Sequence, residues 1–459
     1  MLRGYSVICG FDYGTSNCAV GVTDADRIRL LPVDGDKTYM PSALYTYSRD
    51  LICEQVSHGL NDIARTDYVA LRKSQLQMAL RARNELDLLP EDQVLFCGQS
   101  AFREYFADPE EGYFVKSPKS FLGASGLRPE FVHFFEDIVT AMMQTVKSRA
   151  EQSLQQSLTK TVIGRPVNFQ GVNAEQSNQQ ALAILTTAAR RTGFTEVEFL
   201  YEPVAAGLSF ERTLTDNKTV LVVDIGGGTS DCAMVRMGPD HVGKEDRSRD
   251  FIGHTGERVG GNDLDIRLAA EELMPLFGMR APLKSGKPMP TKTFLDAVAT
   301  NDVGALTRFS SLETGLYLEQ LQRDCAEPEL IGRLIRLRKK RQNQRVVKNA
   351  EDAKIALSDA EETRVTLDYV EQDLSTLISR TAMAAAVERP LERITALMKD
   401  AVQQAGTQPD IIFITGGSAR SPVVRAAVEN TFGHIPLLDG DHFGSVVSGL
   451  TEWAKRIYR

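Results

Sequence analysis

The sequence predicts an α/β protein made of two related halves, and three observations carry that reading. Segments that read as apolar, β-branched strands alternate with segments that read as helices along most of the chain. One unit, an apolar strand followed by a D-x-G turn and a second strand, occurs twice. The 459 residues leave room for about three units of ~150 residues, enough for two lobes and an insertion.

Taken in order, SVICGF (Ser6 to Phe11) reads as a strand, DYGTSN (Asp12 to Asn17) as a glycine-containing turn and CAVGVT (Cys18 to Thr23) as the returning strand. TVIGRP (Thr161 to Pro166) is strand-like. The Ala- and Gln-rich stretch Asn173 to Thr192 predicts a helix stopped by Gly193, and EVEFL (Glu196 to Leu200) a further strand. YEPVAAGLSF follows, with Pro203 where a first helical turn tolerates it. TVLVVDIGGGTSDCAMVRM (Thr219 to Met237) repeats the opening unit. Setting Asp12 on Asp224 places Gly14 on Gly226, and T-S-x-C meets T-S-D-C. Asp410 to Phe432 reads as strand, glycine turn and helix, and Gly444 to Arg459 as a closing helix.

Arg280 to Arg345 departs from this alternation. A Pro- and Lys-rich stretch, APLKSGKPMPTK, precedes the basic run RLIRLRKKRQNQR (Arg333 to Arg345), and the region is expected to be an inserted helical subdomain. The basic run reads either as a solvated helix face or as a docking patch for an acidic partner or nucleic acid.

Composition narrows the class. With 42% hydrophobic and 25% charged residues, 35 glycines and 18 prolines, the chain is an ordinary globular protein rather than a disordered or collagen-like one. A formal charge of -8 speaks against a generally basic nucleic-acid binder. Six cysteines without a C-x-x-C pair speak against a structural zinc site and fit a reducing compartment. No apolar run reaches the ~18 residues of a membrane span, and the first apolar stretch is too short for a signal peptide, so a cytoplasmic protein is expected.

The two D-x-G turns are the chemical signal. Glycines let the backbone approach a ligand and turn successive N–H groups toward one point, a concave nest that suits phosphate. Thr15, Ser16 and Thr229 add hydroxyls, yet Asp12, Asp224 and Asp231 add negative charge. Two unit charges 4 Å apart repel by roughly 4 kcal/mol at an effective dielectric near 20, so carboxylates beside a phosphate chain need a cation between them. Magnesium, held by one or two carboxylates plus phosphate and water, is the natural choice. A third glycine turn, Gly416-Gly417-Ser418-Ala419-Arg420, sits between strand and helix, where helix N-termini accept anions or polar ligand edges. Other nucleotide signatures fail. Gly238 to Glu245 nearly spells a P-loop but ends in Glu245, and no G-x-G-x-x-G or G-x-S-x-G occurs.

Seven stretches, GFDYGTSN, FVKSPKSFLG, FLYEPVAAGLSF, VVDIGGGTSD, RVGGNDLD, NAEDAKIALS and FITGGSARSP, resemble in content and order the ATPase domain of the seventy-kilodalton heat-shock chaperones, the DnaK family. The resemblance runs from Ser6 to about Gly449 and is most like the short YegD-type bacterial members. It implies the two-lobed actin-like ATPase fold, a duplicated ribonuclease-H-like architecture with the nucleotide in a cleft. Lobe I would be residues 1–212 with the C-terminal helix 443–459 packing back. Lobe II would be residues 219–438 with the helical insertion around 280–345.

The resemblance implies ATP or ADP with magnesium, and assigns roles. Asp12 and Asp224 would hold the magnesium largely through water, and Asp231 would help hold metal or potassium ions. Gly14, Thr15, Ser16 and Asn17 would cradle phosphates from one lobe, and Gly226, Gly227, Gly228 and Thr229 from the other. Lys119 would orient the attacking water and γ-phosphate, and Glu202 would sense nucleotide and order that water. Glu351, Lys354 and Ser358 would touch the adenosine, with Gly416, Gly417, Ser418 and Arg420 opposite. Lys119 is a compact cation suited to a γ-phosphate, and phosphoryl transfer needs such positioning more than covalent chemistry. Glu202 at a helix start is also favoured by the helix dipole alone.

Departures matter as well. Ile355 stands where the family usually has an adenine-stacking arginine, which implies weaker or altered base affinity with Arg420 the remaining stacking cation. The span from Asp12 to Lys119 is longer than usual, the surplus lying near Arg49 to Leu95. The sequence given stops at Arg459, and the peptide-gripping β-sandwich of the family has no counterpart in it. The function expected is therefore a chaperone-like ATPase with protein clients or co-chaperones, with no membrane or nucleic-acid partner. A filament or scaffold ATPase, a sugar-kinase-type enzyme and a nucleotide-sensing adaptor with lost catalysis are the rivals.

Overall fold

The computed structural model describes residues 7–458 except 26, 125, 170–173, 243, 245, 246 and 441–443. Ser6, Asn173, the Gly243 and Glu245 of the near P-loop, Phe443 and Arg459 therefore lie outside the described residues.

The apolar opening strand Val7–Tyr13 turns back antiparallel into Asn17–Asp24, pairing Asp12 with Ala19 and Tyr13 with Cys18. Arg27–Leu30 adds to the outer side, and Leu158–Arg165 and Glu196–Tyr201 add in parallel on the inner side. A second sheet repeats this order. Lys218–Ile225 and Ser230–Met237 form the hairpin, Phe251–Glu257 adds outside, and Ile411–Thr415 and Leu437–Asp439 add in parallel inside. Three antiparallel strands followed by two parallel ones, twice, is the duplication that the matched turns announce.

The sheets meet at their base through a shared apolar core. Val162 of the first sheet, Ala205 and Ala206 of the helix Glu202–Glu211, Val220, Val222 and Phe413 of the second sheet, and Leu450 and Ala454 of the helix Gly444–Ile457 are packed in one cluster. Phe210 stacks on Phe413 with ring centroids 4.3 Å apart. The closing helix lies so near its neighbour that a Cβ on Gly449 would collide with the Ala205 carbonyl. The two halves are thus joined below and separate above. The residues up to 212 together with the closing helix are called lobe I, and residues 219–438 lobe II.

The surplus segment forms three helices, Leu51–His58, Asp62–Leu71 and Lys73–Glu85. A charge cluster inside lobe I anchors them. Arg72, fully buried, donates to Asp137 Oδ2 at 2.9 Å and Glu136 Oε2 at 2.8 Å, and Arg191 reaches the same two carboxylates. A buried pair is costly to break from one side because the other charge stays desolvated. Arg72→Met is expected to lower the unfolding free energy by about 3–5 kcal/mol, read by urea denaturation. A change within ~0.5 kcal/mol, the range of an ordinary surface site, would show that the cluster anchors nothing.

The region 280–345 is helical, with Lys292–Val298, Val303–Ser310, Leu312–Asp324 and Pro328–Lys339. Its Phe294, Leu318 and Leu334 share one core with Leu221 and Ile412 of the second sheet. The basic run forms a solvated helix face, with Arg336, Lys339, Lys340 and Arg341 exposed and Leu334 and Leu337 buried, and several of its arginines have partners. Arg333 and Arg336 pair with Glu371, Arg338 donates to the Phe309 and Ser310 carbonyls, and Arg341 donates to the Glu110 carbonyl. Guanidinium groups were needed there to satisfy helix ends and loop carbonyls.

Candidate functional site: an interlobe cleft

Above the shared base, the two hairpin tips face each other across a cavity of about 560 Å³. Each tip is closed in the same way, by Gly14 N–H to the Asn17 carbonyl and by Gly226 N–H to the Thr229 carbonyl, both at 3.0 Å. Each is then tied to a neighbouring segment. The Ser42 hydroxyl donates to the Gly14 carbonyl at 2.6 Å, and the amides of Gly261 and Asn262 donate to the Gly226 and Gly227 carbonyls at 2.9 and 2.7 Å. With these carbonyls engaged, what the tips offer a ligand is amide N–H groups and the hydroxyls of Thr15 and Ser16, a donor-rich surface suited to an anion. The tips come within touching distance. A Cβ on Gly227 would overlap the Ser16 hydroxyl, and one on Gly228 would stand 2.7 Å from Thr15 Cγ2 and 2.9 Å from Ser120 Oγ. Only glycine permits that approach.

The cavity gathers most of the residues singled out by sequence. Asp12, Gly14, Thr15, Ser16, Asn17 and Glu202 line it from one lobe. Asp224, Gly226, Gly227, Thr229, Glu351, Lys354, Gly416, Gly417 and Ser418 line it from the other. Five are placed elsewhere. Lys119 is buried behind the wall, its ammonium 2.5 Å from Glu202 Oε1 and donating to the Gly164 carbonyl at 3.4 Å. Gly228 packs on Thr15 as described. Asp231 is nearly inaccessible and accepts from the Val167 N–H at 2.6 Å, so its carboxylate ties the two lobes together below the cavity wall. Ser358 bonds back to the Lys354 carbonyl at 3.4 Å, and Arg420 is exposed.

Charge at the floor of the cavity is unbalanced. Burial, then the neighbouring Glu202, pushes Asp12 up to about 7, with Lys119 offsetting part of the effect. Burial and the charges of Glu202, Asp231 and Asp12 raise Asp224 well above the carboxylate range. Burial and Glu202 push Asp231 up to about 8, against the Val167 amide and Thr229 hydroxyl that stabilise its anion. Burial alone would lower Lys119, but Glu202 and Asp12 outweigh it and hold the ammonium charged. Four carboxylates are thus crowded together, with Lys119 acting on Glu202 and Asp12, and Arg165 acting on Asp231 and Glu202. Among the described residues no group of three or more His, Cys, Asp or Glu closes into a metal cage. A donor set of one or two carboxylates beside anion-binding amides fits a hard divalent ion that keeps water and phosphate oxygens as its other ligands.

The cavity also has walls that sequence reasoning did not name. Lys116 reaches across from lobe I to Glu351 Oε2 at 2.8 Å, and Lys354 pairs with Asp265 at 2.6 Å. Burial raises Glu351, but Lys116, Lys348 and Lys354 outweigh that and hold it at about 2. Tyr39, Phe102, Arg103 and Phe106 complete the lobe I wall. Lys116 stands three residues before Lys119, and Asp265 closes the quoted RVGGNDLD, so position inside the motifs was the available signal.

Two lobes of repeated sheet order, hinged at the base and facing each other through paired glycine hairpins, define the actin-like ATPase class. A model of the Hsp70 protein family matches residues 130–276 and 333–441, more than half of the chain. The chain belongs to the Hsp70 family, whose members are chaperone-like ATPases. It is 24% identical over 450 residues, 94% of its length, to the chaperone protein DnaK of Buchnera aphidicola subsp. Schizaphis graminum. It is 26% identical over 311 residues, 66% of its length, to the chaperone protein dnaK3 of Synechococcus elongatus. The chain spans 57% of the first relative and 33% of the second. Among the described residues no helix is long and apolar enough to cross a membrane.

Proposed function

We propose that this chain binds ATP with magnesium in the interlobe cleft and hydrolyses it to ADP and phosphate, and that the resulting change in lobe closure is read by protein clients or co-chaperones. The observation that carries this reading is the convergence of the two glycine tips, one from each sheet, on one cavity. Magnesium, when bound, would neutralise phosphate charge beside Asp12 and Asp224, which would hold it largely through water.

The chain's own groups account for the rest. The amides around Gly14 to Asn17 and Gly226 to Thr229 orient the phosphates. The ammonium of Lys119, behind the wall, holds Glu202 and sets a positive charge near the terminal phosphoryl group, and Glu202, which lines the cavity, accepts a hydrogen bond from the attacking water. Such positioning and charge stabilisation are what phosphoryl transfer asks of a protein. Glu351, Lys354 and Ser418 border the ribose side. Asp231 serves as a strut between the lobes through the Val167 amide, so that a change at one tip is felt at the exit of the Leu158–Arg165 strand. Phosphate release by the full chain with ATP, with and without magnesium, tests the reading. Release that needs magnesium supports it, and ATP-dependent polymers by light scattering would favour the filament alternative instead.

A clasp spans the cleft roof. Arg345 of the helix Asn343–Ala356 lies over Phe106 at 5.6 Å and over Tyr369 at 4.2 Å, and the Tyr105 hydroxyl donates to the Arg341 carbonyl at 2.6 Å. Arg345→Ala removes the stacked cation and is expected to speed release of a fluorescent ADP about three- to thirtyfold in stopped flow. An unaltered rate would show that the roof does not gate the nucleotide.

A further inference from the structure

The roof contacts set the direction in which two helices face each other. Phe106, under Arg345, lies one turn beyond Phe102 on the helix Gln99–Ala107. Glu351, bonded to Lys116, lies one turn before Ile355 on the helix Asn343–Ala356. Residues four apart share a helix face, so Phe102 and Ile355 look into the same cavity from opposite lobes, and both line it. Ile355 is 57% exposed, a large aliphatic group that the protein leaves mostly uncovered. Phe102 packs on Phe106 and Phe114, with centroids 5.8 and 5.3 Å away, and is only half-buried. Arg420, the arginine that the family resemblance would set against the base, is exposed and does not line the cavity.

Resting on the reading of the cleft as a nucleotide site, we propose that the base is gripped across the cleft, between the Phe102 ring of lobe I and the Ile355 side chain of lobe II. The base itself then draws the lobes together, in addition to the phosphates. A slot of an aromatic ring and an aliphatic side chain reads the flat face of a base and not its exocyclic groups, because neither side chain carries a donor or acceptor. It accepts purine nucleotides with little regard to amino or oxo substituents, so ATP and GTP bind alike.

Calorimetry on the full chain with magnesium ATP, magnesium GTP and magnesium tripolyphosphate tests this. Phe102→Leu keeps a filling side chain against Phe114 but loses the ring. It is expected to weaken ATP and GTP alike by about tenfold, the size of a lost base–aromatic stack, and to leave tripolyphosphate unchanged. Phe102→Tyr is expected to restore both nucleotides. Unchanged nucleotide affinity in Phe102→Leu, or an equal loss for tripolyphosphate, overturns the cross-cleft grip while the nucleotide site stands. Failure of the parent chain to bind any of the three overturns the nucleotide reading and this inference with it.

Discussion

Lys119→Ala will slow ATP hydrolysis by ~10²-fold or more while nucleotide stays bound, as losing one preorganised donor does. Lys119 carries positive charge among Asp12, Glu202, Asp224 and Asp231, and its ammonium is already held at 2.5 Å by Glu202. Its removal takes away the positive charge that holds Glu202 behind the cavity wall but leaves the amides of the two glycine tips in place. The same change has a second consequence. Glu202, itself mostly covered, loses its partner beside three other carboxylates. Breaking a buried pair from one side costs about 3–5 kcal/mol, so the nucleotide-free variant will also melt earlier. Glu202→Gln added to Lys119→Ala removes the orphaned charge. The double variant is expected to recover stability without recovering turnover. Single-turnover phosphate release and thermal unfolding on samples freed of nucleotide separate the two effects. Unchanged turnover in Lys119→Ala would remove it from the chemistry.

Asp12→Asn is expected to act in opposite directions on stability and on magnesium. Burial and Glu202 disfavour the Asp12 anion. A carboxyl raised above its ordinary value destabilises the fold at any pH where it must ionise, so removing the charge helps most at alkaline pH. Without magnesium, Asp12→Asn is expected to be more stable than the parent at pH 8 by about 1–3 kcal/mol, within the 1.36 kcal/mol carried by each unit of raised pKa. With nucleotide, the same variant would lose one of the two groups proposed to hold the metal through water. Its magnesium affinity is expected to fall by about 10- to 100-fold, as for other outer-sphere partners. Thermal melts with and without magnesium ADP read both effects. A variant that is less stable in both conditions would mean that Asp12 is a structural hydrogen-bond acceptor rather than one of a set of crowded charges.

How much was legible beforehand follows from how local each feature is. A glycine turn between two apolar strands is a property of about fifteen consecutive residues. Both hairpins, the helix opened by Pro203 and the strand–turn–helix around Gly416 therefore stand where the sequence places them. The strands Ala43–Thr46, Leu95–Cys97 and Tyr113–Lys116 went unread. They are three to four residues long and pair only across intervening helices, so no window holds their pattern. The partners of the basic run from Arg333 to Arg345 were hidden for a related reason. Its charges are matched by Glu371 and by carbonyls at Phe309 and Glu110, none of them near in sequence.

By itself the sequence determined the repeated unit, the family and the tips that meet at the cavity, because glycine at a turn and apolar alternation in a strand act over neighbours. Tertiary structure alone decided which groups share the space between the lobes. It put Asp231 on the Val167 amide instead of the cavity wall, tied Lys116 to Glu351, and brought Phe102 and Ile355 to one cavity. Those pairings depend on where two sheets come to rest against a common core, and that is fixed by packing over the whole chain rather than by any residue's neighbours.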